Sequence, residues 1–216
     1  MNSGNYIQVI KTGARCLLFL LLIQCQQHIK SDQQFYDWLI EKEHGLIQYK
    51  KSEGLLLSAM YLPPEYLALK ELKSFKIKTR SLFDSLVELN RNHFTFLLVI
   101  QADQEESARQ LEEYRSVKEY LDDKERIAEL YHVAQHLRLH TGTKTLKPSI
   151  SVIETRLGSQ LYWALQLAFS ENVPWEEVLE GQTIDLAFND EIFHTGIHHF
   201  IFKRVAMQAI PTIKLE

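Results

Sequence analysis

The segment QADQEE (101–106) sets Asp103, Glu105 and Glu106 immediately after a long apolar run. Carboxylates at the end of a strand are well placed for acid–base work, one taking a proton while another gives one. They also suit the first turn of a helix, where capping and the dipole favour negative charge. A second set is His194, His198 and His199. Successive side chains on a strand alternate faces, so His198 and His199 diverge and at most one of them joins His194. Asp185 or Asp190, across a hairpin, would supply a carboxylate partner. The candidate catalytic set is therefore Asp103 and Glu105 with His194 or His199, which would suit a hydrolase. A third set, His132, His136 and His140, is spaced i, i+4, i+8. One continuous helix would align these rings for a metal, but no glutamate intervenes as in zinc proteases, and the helix is expected to end near Ala134. No metal and no cofactor is expected, and solvent-facing histidines are the simpler account.

Other chemistry has less to build on. The chain lacks GxSxG, a phosphate-cradling glycine loop and GxGxxG, and its eight glycines leave few backbone anion sites. Tyr162, Trp163, Phe193, Phe200 and Phe202 either floor a small-molecule pocket or pack a core; strand spacing alone accounts for the second. RQLEEYRSVKEYLDDKER (109–126) is charge-dense, with pairs such as Asp122 and Arg126 at i, i+4. It reads as a solvated helix face, or as a face for a protein partner.

The elements that must position these groups follow from periodicity and punctuation. QQFYDWLIEKEHG reads as a helix capped by Ser31 or Asp32, with Phe35, Trp38 and Leu39 on one face and Gly45 as its end. LIQYKKSEGLLLSAMYL reads as a hairpin around Glu53-Gly54, and Pro64 starts a helix. TRSLFDSLVELNRN carries Leu82, Leu86 and Leu89 as an apolar stripe widened by Phe83. HFTFLLVIQ is nearly continuously apolar, which implies a strand buried on both faces. A charged helical stretch is expected from Glu105 to Ala134. After it come QHLRLHT and TLKPSISVIETR around Gly142, then QLYWALQLAFS with Leu161, Trp163, Leu165, Leu167 and Phe169 on one face. A short helix is expected over Trp175–Leu179, and TIDLAF and EIFHTGIHHFIFK form a hairpin around Asn189-Asp190. Neighbouring strands joined by tight turns favour an antiparallel sheet with helices packed on one side, an α+β fold.

Residues 1–24 hold Lys11 and Arg15, no acid, and an apolar run from Cys16 to Ile23. That run is too short to span about 30 Å of hydrocarbon, which takes roughly 20 residues, and it fits a signal peptide. Cys25 stands at its end in an arrangement that resembles the bacterial lipoprotein signal, with Leu22 and Ile23 at the outer positions and Gln24 where that family carries Gly, Ala or Ser. The expected organisation is a signal over 1–24, a polar tether over 25–34 and one domain over 35–216, with lipid on Cys25. The only cysteines are Cys16 and Cys25, so the mature body would hold no free thiol. Loss of the signal leaves 22 basic and 28 acidic residues, a net charge of −6. A negative body argues against nucleic acid as a partner and against electrostatic docking on an anionic lipid surface.

The phrases YLPPEYLALKEL, FLLVIQAD and NDEIFHTGIHHFIF resemble uncharacterised lipoproteins of Bacteroidota-type bacteria. The resemblance spans most of the mature chain, brings no assigned activity, and supports Cys25 as the lipidation site. The expectation is an exported protein of the bacterial cell envelope, held at the outer membrane or a periplasmic face and working as a non-catalytic binding or assembly subunit with a protein partner.

Overall fold

The computed structural model describes residues 29–119, 132–142, 144–153, 162–170 and 181–215, with the single positions 125 and 128. Ser31 opens helix α1 (Asp32–Leu39), its Oγ accepting the N–H of Gln34 at 3.2 Å and satisfying one of the donors a helix start leaves unpaired. Phe35 and Leu39 fall on its buried face. A 3-10 turn (Lys42–His44) ends at Gly45, whose φ of 68° lies in the left-handed region that a Cβ disfavours. Ile29 belongs to the fold, although it falls within the expected tether. Ile29 is buried and forms a parallel bridge with Ile213, its N–H donating to Thr212 O at 3.1 Å and its carbonyl accepting from Lys214 N–H at 2.9 Å.

Strands β1 (Ile47–Ser52) and β2 (Leu55–Leu62) pair antiparallel around Glu53 and Gly54, with φ 48° and 74°, the two positive values that a tight twisted hairpin turn requires. Helix α2 (Pro64–Leu72) places proline in its first turn, where no N–H is missed. Helix α3 (Arg80–Asn90) is capped by Thr79 and lies against α2. Its buried residues are Phe83, Leu86 and Val87, while Leu89 is 63% exposed. The stripe is thus rotated from the expected Leu82–Leu86–Leu89 line, with the ring of Phe83 and the branched Val87 forming the ridge at i, i+4.

The remaining elements are β3 (His93–Ala102), α4 (Glu105–Glu119), β4 (Leu137–Thr141), β5 (Lys144–Leu146), β6 (Ile150–Ile153), β7 (Tyr162–Ser170), β8 (Thr183–Asp190), β9 (Gly196–Lys203) and α5 (Arg204–Gln208). The α+β expectation holds, and the antiparallel strands divide between two sheets, ordered β1-β2-β3-β7-β6 and β5-β4-β8-β9. The division falls inside TLKPSISVIETR: β5 pairs with β4, whereas β6 pairs with β7. Pro148 stands between them and cannot donate to a ladder, so the chain changes sheets there.

Register shows which faces meet. Tyr61, Phe96 and Leu167 align across the first sheet, as do Leu57, Ile100 and Trp163. Leu139, Leu186 and Phe200 align across the second, and all of these are buried. The Phe96 ring lies 5.2 Å from that of Phe202, so the sheets pack face to face through aromatic contact. Met60, Leu62, Thr95 and Leu97, on the opposite face of the first sheet, are buried as well, and α4 lies against β3. Burial on both faces is why 93–101 reads as one apolar run. Among the described residues no helix is long and apolar enough to cross a membrane. Cys16, Cys25, the Trp175–Leu179 segment and most of 120–131 lie outside the described residues.

Candidate functional site

The candidate catalytic residues stand apart. Asp103 meets the Lys51 ammonium at 2.8 Å beside the β1–β2 turn. Glu105 opens α4 and lies 3.9 Å from Arg109 one turn on, the helix-start role that its position also allowed. His199 faces outward from β9 and pairs with Asp185 Oδ2 at 2.7 Å. His194 sits exposed in the β8–β9 loop with φ 59°. Among the described residues no hydrogen bond or ion pair joins the first two to either histidine, so the acid–base constellation is not assembled. The third set also divides. The rings of His132 and His136 are 5.1 Å apart, but His140 lies on β4 and meets Thr145 Oγ1 at 2.9 Å. No cluster of three metal-binding side chains occurs among the described residues.

The β8–β9 turn differs from the expected one. Asp190 still pairs with Gly196, so the loop runs over 191–195 rather than around Asn189-Asp190. The reason is the Asp190 carboxylate, which is buried. Oδ1 accepts from the N–H groups of Ile192 and Phe193 at 3.1 and 3.0 Å, and Oδ2 accepts from Thr195 Oγ1. That uses the one hydroxyl proton of Thr195, so His198 Nε2–H donates to Thr195 Oγ1 at 2.7 Å. Asp190, Thr195 and His198 thus staple the loop.

Burial holds the His198 pKa below its ordinary 6.5, with Lys50 and His199 pushing the same way and Asp190 opposing them. Below pH 6.5 the unfolded chain takes up a proton that the folded one resists, so stability is full above 6.5 and falls as pH drops toward the lowered folded value. The urea midpoint of the native chain is expected to fall in that window more steeply than that of His198→Gln. Equal slopes would show that this imidazole is not held neutral.

A cleft of about 550 Å³ opens where the 3-10 turn leads into β1. Trp38, Lys42, His44 and Gln48 line one side; Ile201, Lys203, Val205 and Ala209 line the other. Trp38 and His44 stack with centroids 4.0 Å apart, and His44 Nδ1–H donates to the Trp38 carbonyl at 2.6 Å. The second ring nitrogen, 3.6 Å from Glu41, faces a carboxylate. Lys42 lies over the Tyr49 ring at 5.4 Å. Ile197, Ile201 and Val205 stand 65%, 54% and 72% exposed along the outer face of β9 and just beyond it, leading to this cleft. The cleft thus carries an aromatic wall, an apolar row, the ammonium groups of Lys42 and Lys203 and the carboxylate of Glu43. Of the two readings open for Trp163, core packing holds: it is buried between the sheets and does not floor this cleft. The sequence offered little to reveal the cleft, because Trp38 and Ile201 come from distant segments and only the turn at Gly45 faces them toward each other.

No family model, curated protein or solved structure matches this chain.

Proposed function

We propose that this protein is a non-catalytic binding subunit of a bacterial cell envelope, tethered by lipid at Cys25, that holds a protein partner along β9 and its cleft. The observation that carries the binding role is the exposure of Ile197 and Ile201 on the edge strand β9 and of Val205 in α5 just after it. An aliphatic row of this kind is costly to leave in water and marks contact surface. Lys42 and Lys203 at the cleft favour a partner with an apolar centre and an acidic rim. The short apolar run before Cys25 and the resemblance to envelope lipoproteins support the tether.

The test takes membranes bearing the native chain, Cys25→Ala and Ile201→Glu/Val205→Glu. Intact mass of the native chain should show a mature terminus at a lipid-modified Cys25, with Cys25→Ala lost from membranes. After crosslinking, the native chain should migrate in a larger assembly and the double variant as a monomer. A native chain that is monomeric after crosslinking would end the binding reading, and an unmodified Cys25 would end the tether.

A further inference from the structure

The α2–α3 loop reads Lys73-Ser74-Phe75-Lys76-Ile77-Lys78-Thr79-Arg80, and every residue of it is exposed. Four basic side chains and no acid alternate here with an aromatic and an aliphatic residue. Phe75 is 43% exposed and Ile77 74%. The loop is fixed to the place where the chain enters the fold. Lys73 Nζ meets Asp32 at 2.6 Å, and Arg80 Nη1 donates to the Ile213 carbonyl at 3.2 Å. Ile213 is the bridge partner of Ile29, and exposed Lys30 and Lys214 follow those two residues in the chain. The nearby carboxylates are engaged, Asp32 by Lys73 and Asp84 by Arg80 at 2.9 Å. Among the described residues Lys76 and Lys78 meet no carboxylate, which leaves two ammonium groups beside the apolar tips.

We infer that this loop is a membrane-contact element that inserts Phe75 and Ile77 at the surface of a bilayer containing anionic lipid, with Lys76 and Lys78 on its head groups. An apolar tip with flanking lysines satisfies both layers of a membrane interface, since lysine stems lie along the acyl boundary while the ammonium groups stay in the polar region. The net negative charge of the body argues against anionic lipid as a whole, but charges beyond about 8–10 Å are screened at physiological salt and the loop itself carries only cations. Each lysine near such a surface contributes about fivefold in affinity. The inference stands on the loop and not on the lipid at Cys25.

The test uses the full, unlipidated chain carrying Cys16→Ser and Cys25→Ser, with one cysteine introduced by Ile77→Cys and labelled with an environment-sensitive fluorophore. A second protein carries the label through Lys51→Cys, at the β1–β2 turn. The probes are vesicles of phosphatidylcholine alone and of phosphatidylcholine with phosphatidylglycerol. The label at 77 should shift to the blue and be quenched by brominated acyl chains on the phosphatidylglycerol vesicles, while the label at 51 should not. Adding Lys76→Glu/Lys78→Glu should weaken that response at least 25-fold. A label at 77 that stays in water on vesicles that carry the protein overturns the inference, and so does a protein that binds no vesicle. Equal responses on both vesicle types would overturn the anionic-lipid assignment.

Discussion

Phe96→Ala is expected to cost about 3–5 kcal/mol of stability and to lower Tm by roughly 6–20 °C in a chain of this size. Phe96 is fully buried on β3, with its ring 5.6 Å from Tyr61, 6.1 Å from Phe169 and 5.2 Å from Phe202. The first two rings belong to its own sheet and the third to the other, so the truncation opens a cavity at the seam between them. Backbone ladders on both sides resist collapse into that space, which places the cost toward the upper end. Leu89→Ala gives the contrast. Its side chain is 63% exposed, and a change of within about 0.5 kcal/mol is expected. Urea unfolding measures both, and comparable losses would contradict the packing described for β3 and α3.

Gly54→Ala is the second large effect, at roughly 2–4 kcal/mol. The backbone there has φ 74°, and an added Cβ would lie 2.5 Å from Ser107 Oγ and 3.0 Å from Gln104 Oε1. The left-handed conformation alone costs an alanine about 1–2 kcal/mol. The contact adds to this because Ser107 is buried and donates to the Glu53 carbonyl at 3.2 Å, so it has little room to yield. Ser107→Ala removes the obstructing oxygen. Gly54→Ala/Ser107→Ala should therefore be less destabilised than the two single changes added together. Strict additivity would mean that the backbone conformation explains the whole loss and that α4 does not press on this turn.

Local rules made much of the architecture readable. Ser31 and Glu53-Gly54 act where their own chemistry decides the outcome, as a cap and a turn, whereas Gly45 ends a 3-10 turn and not the expected helix, which stops at Leu39. The apolar run at 93–101 announced a strand covered on both faces, and alternation in QLYWALQLAFS gave the inward face of β7. What the sequence concealed depends on contacts across the fold. Ile29 sits among glutamines, histidine and lysine and looks like tether, and only Ile213 gives it somewhere to be buried. Phe83 rather than Leu89 defines the α3 ridge because α2 lies on that side. The β8–β9 loop is five residues long because a carboxylate folds back on it, a choice invisible in Asn189-Asp190. For the site, the sequence supplied carboxylates and histidines with the right chemistry, but spacing along a chain cannot reveal that Asp103, Glu105 and His199 each meet a different partner.

The bridge between Ile29 and Ile213 has a consequence for the order of synthesis. The first residue of the described fold has its bridge partner 184 residues (213 − 29) further along the chain. At about 5–20 residues per second, Ile29 waits roughly 10–40 s for Ile213 to be made. Its burial is a contact of near-maximal sequence separation, of the kind that closes late because loop entropy must be overcome first. Ile29 therefore stays unpaired while the residues between it and Ile213 are made, and synthesis of Ile213 is the event that allows its burial.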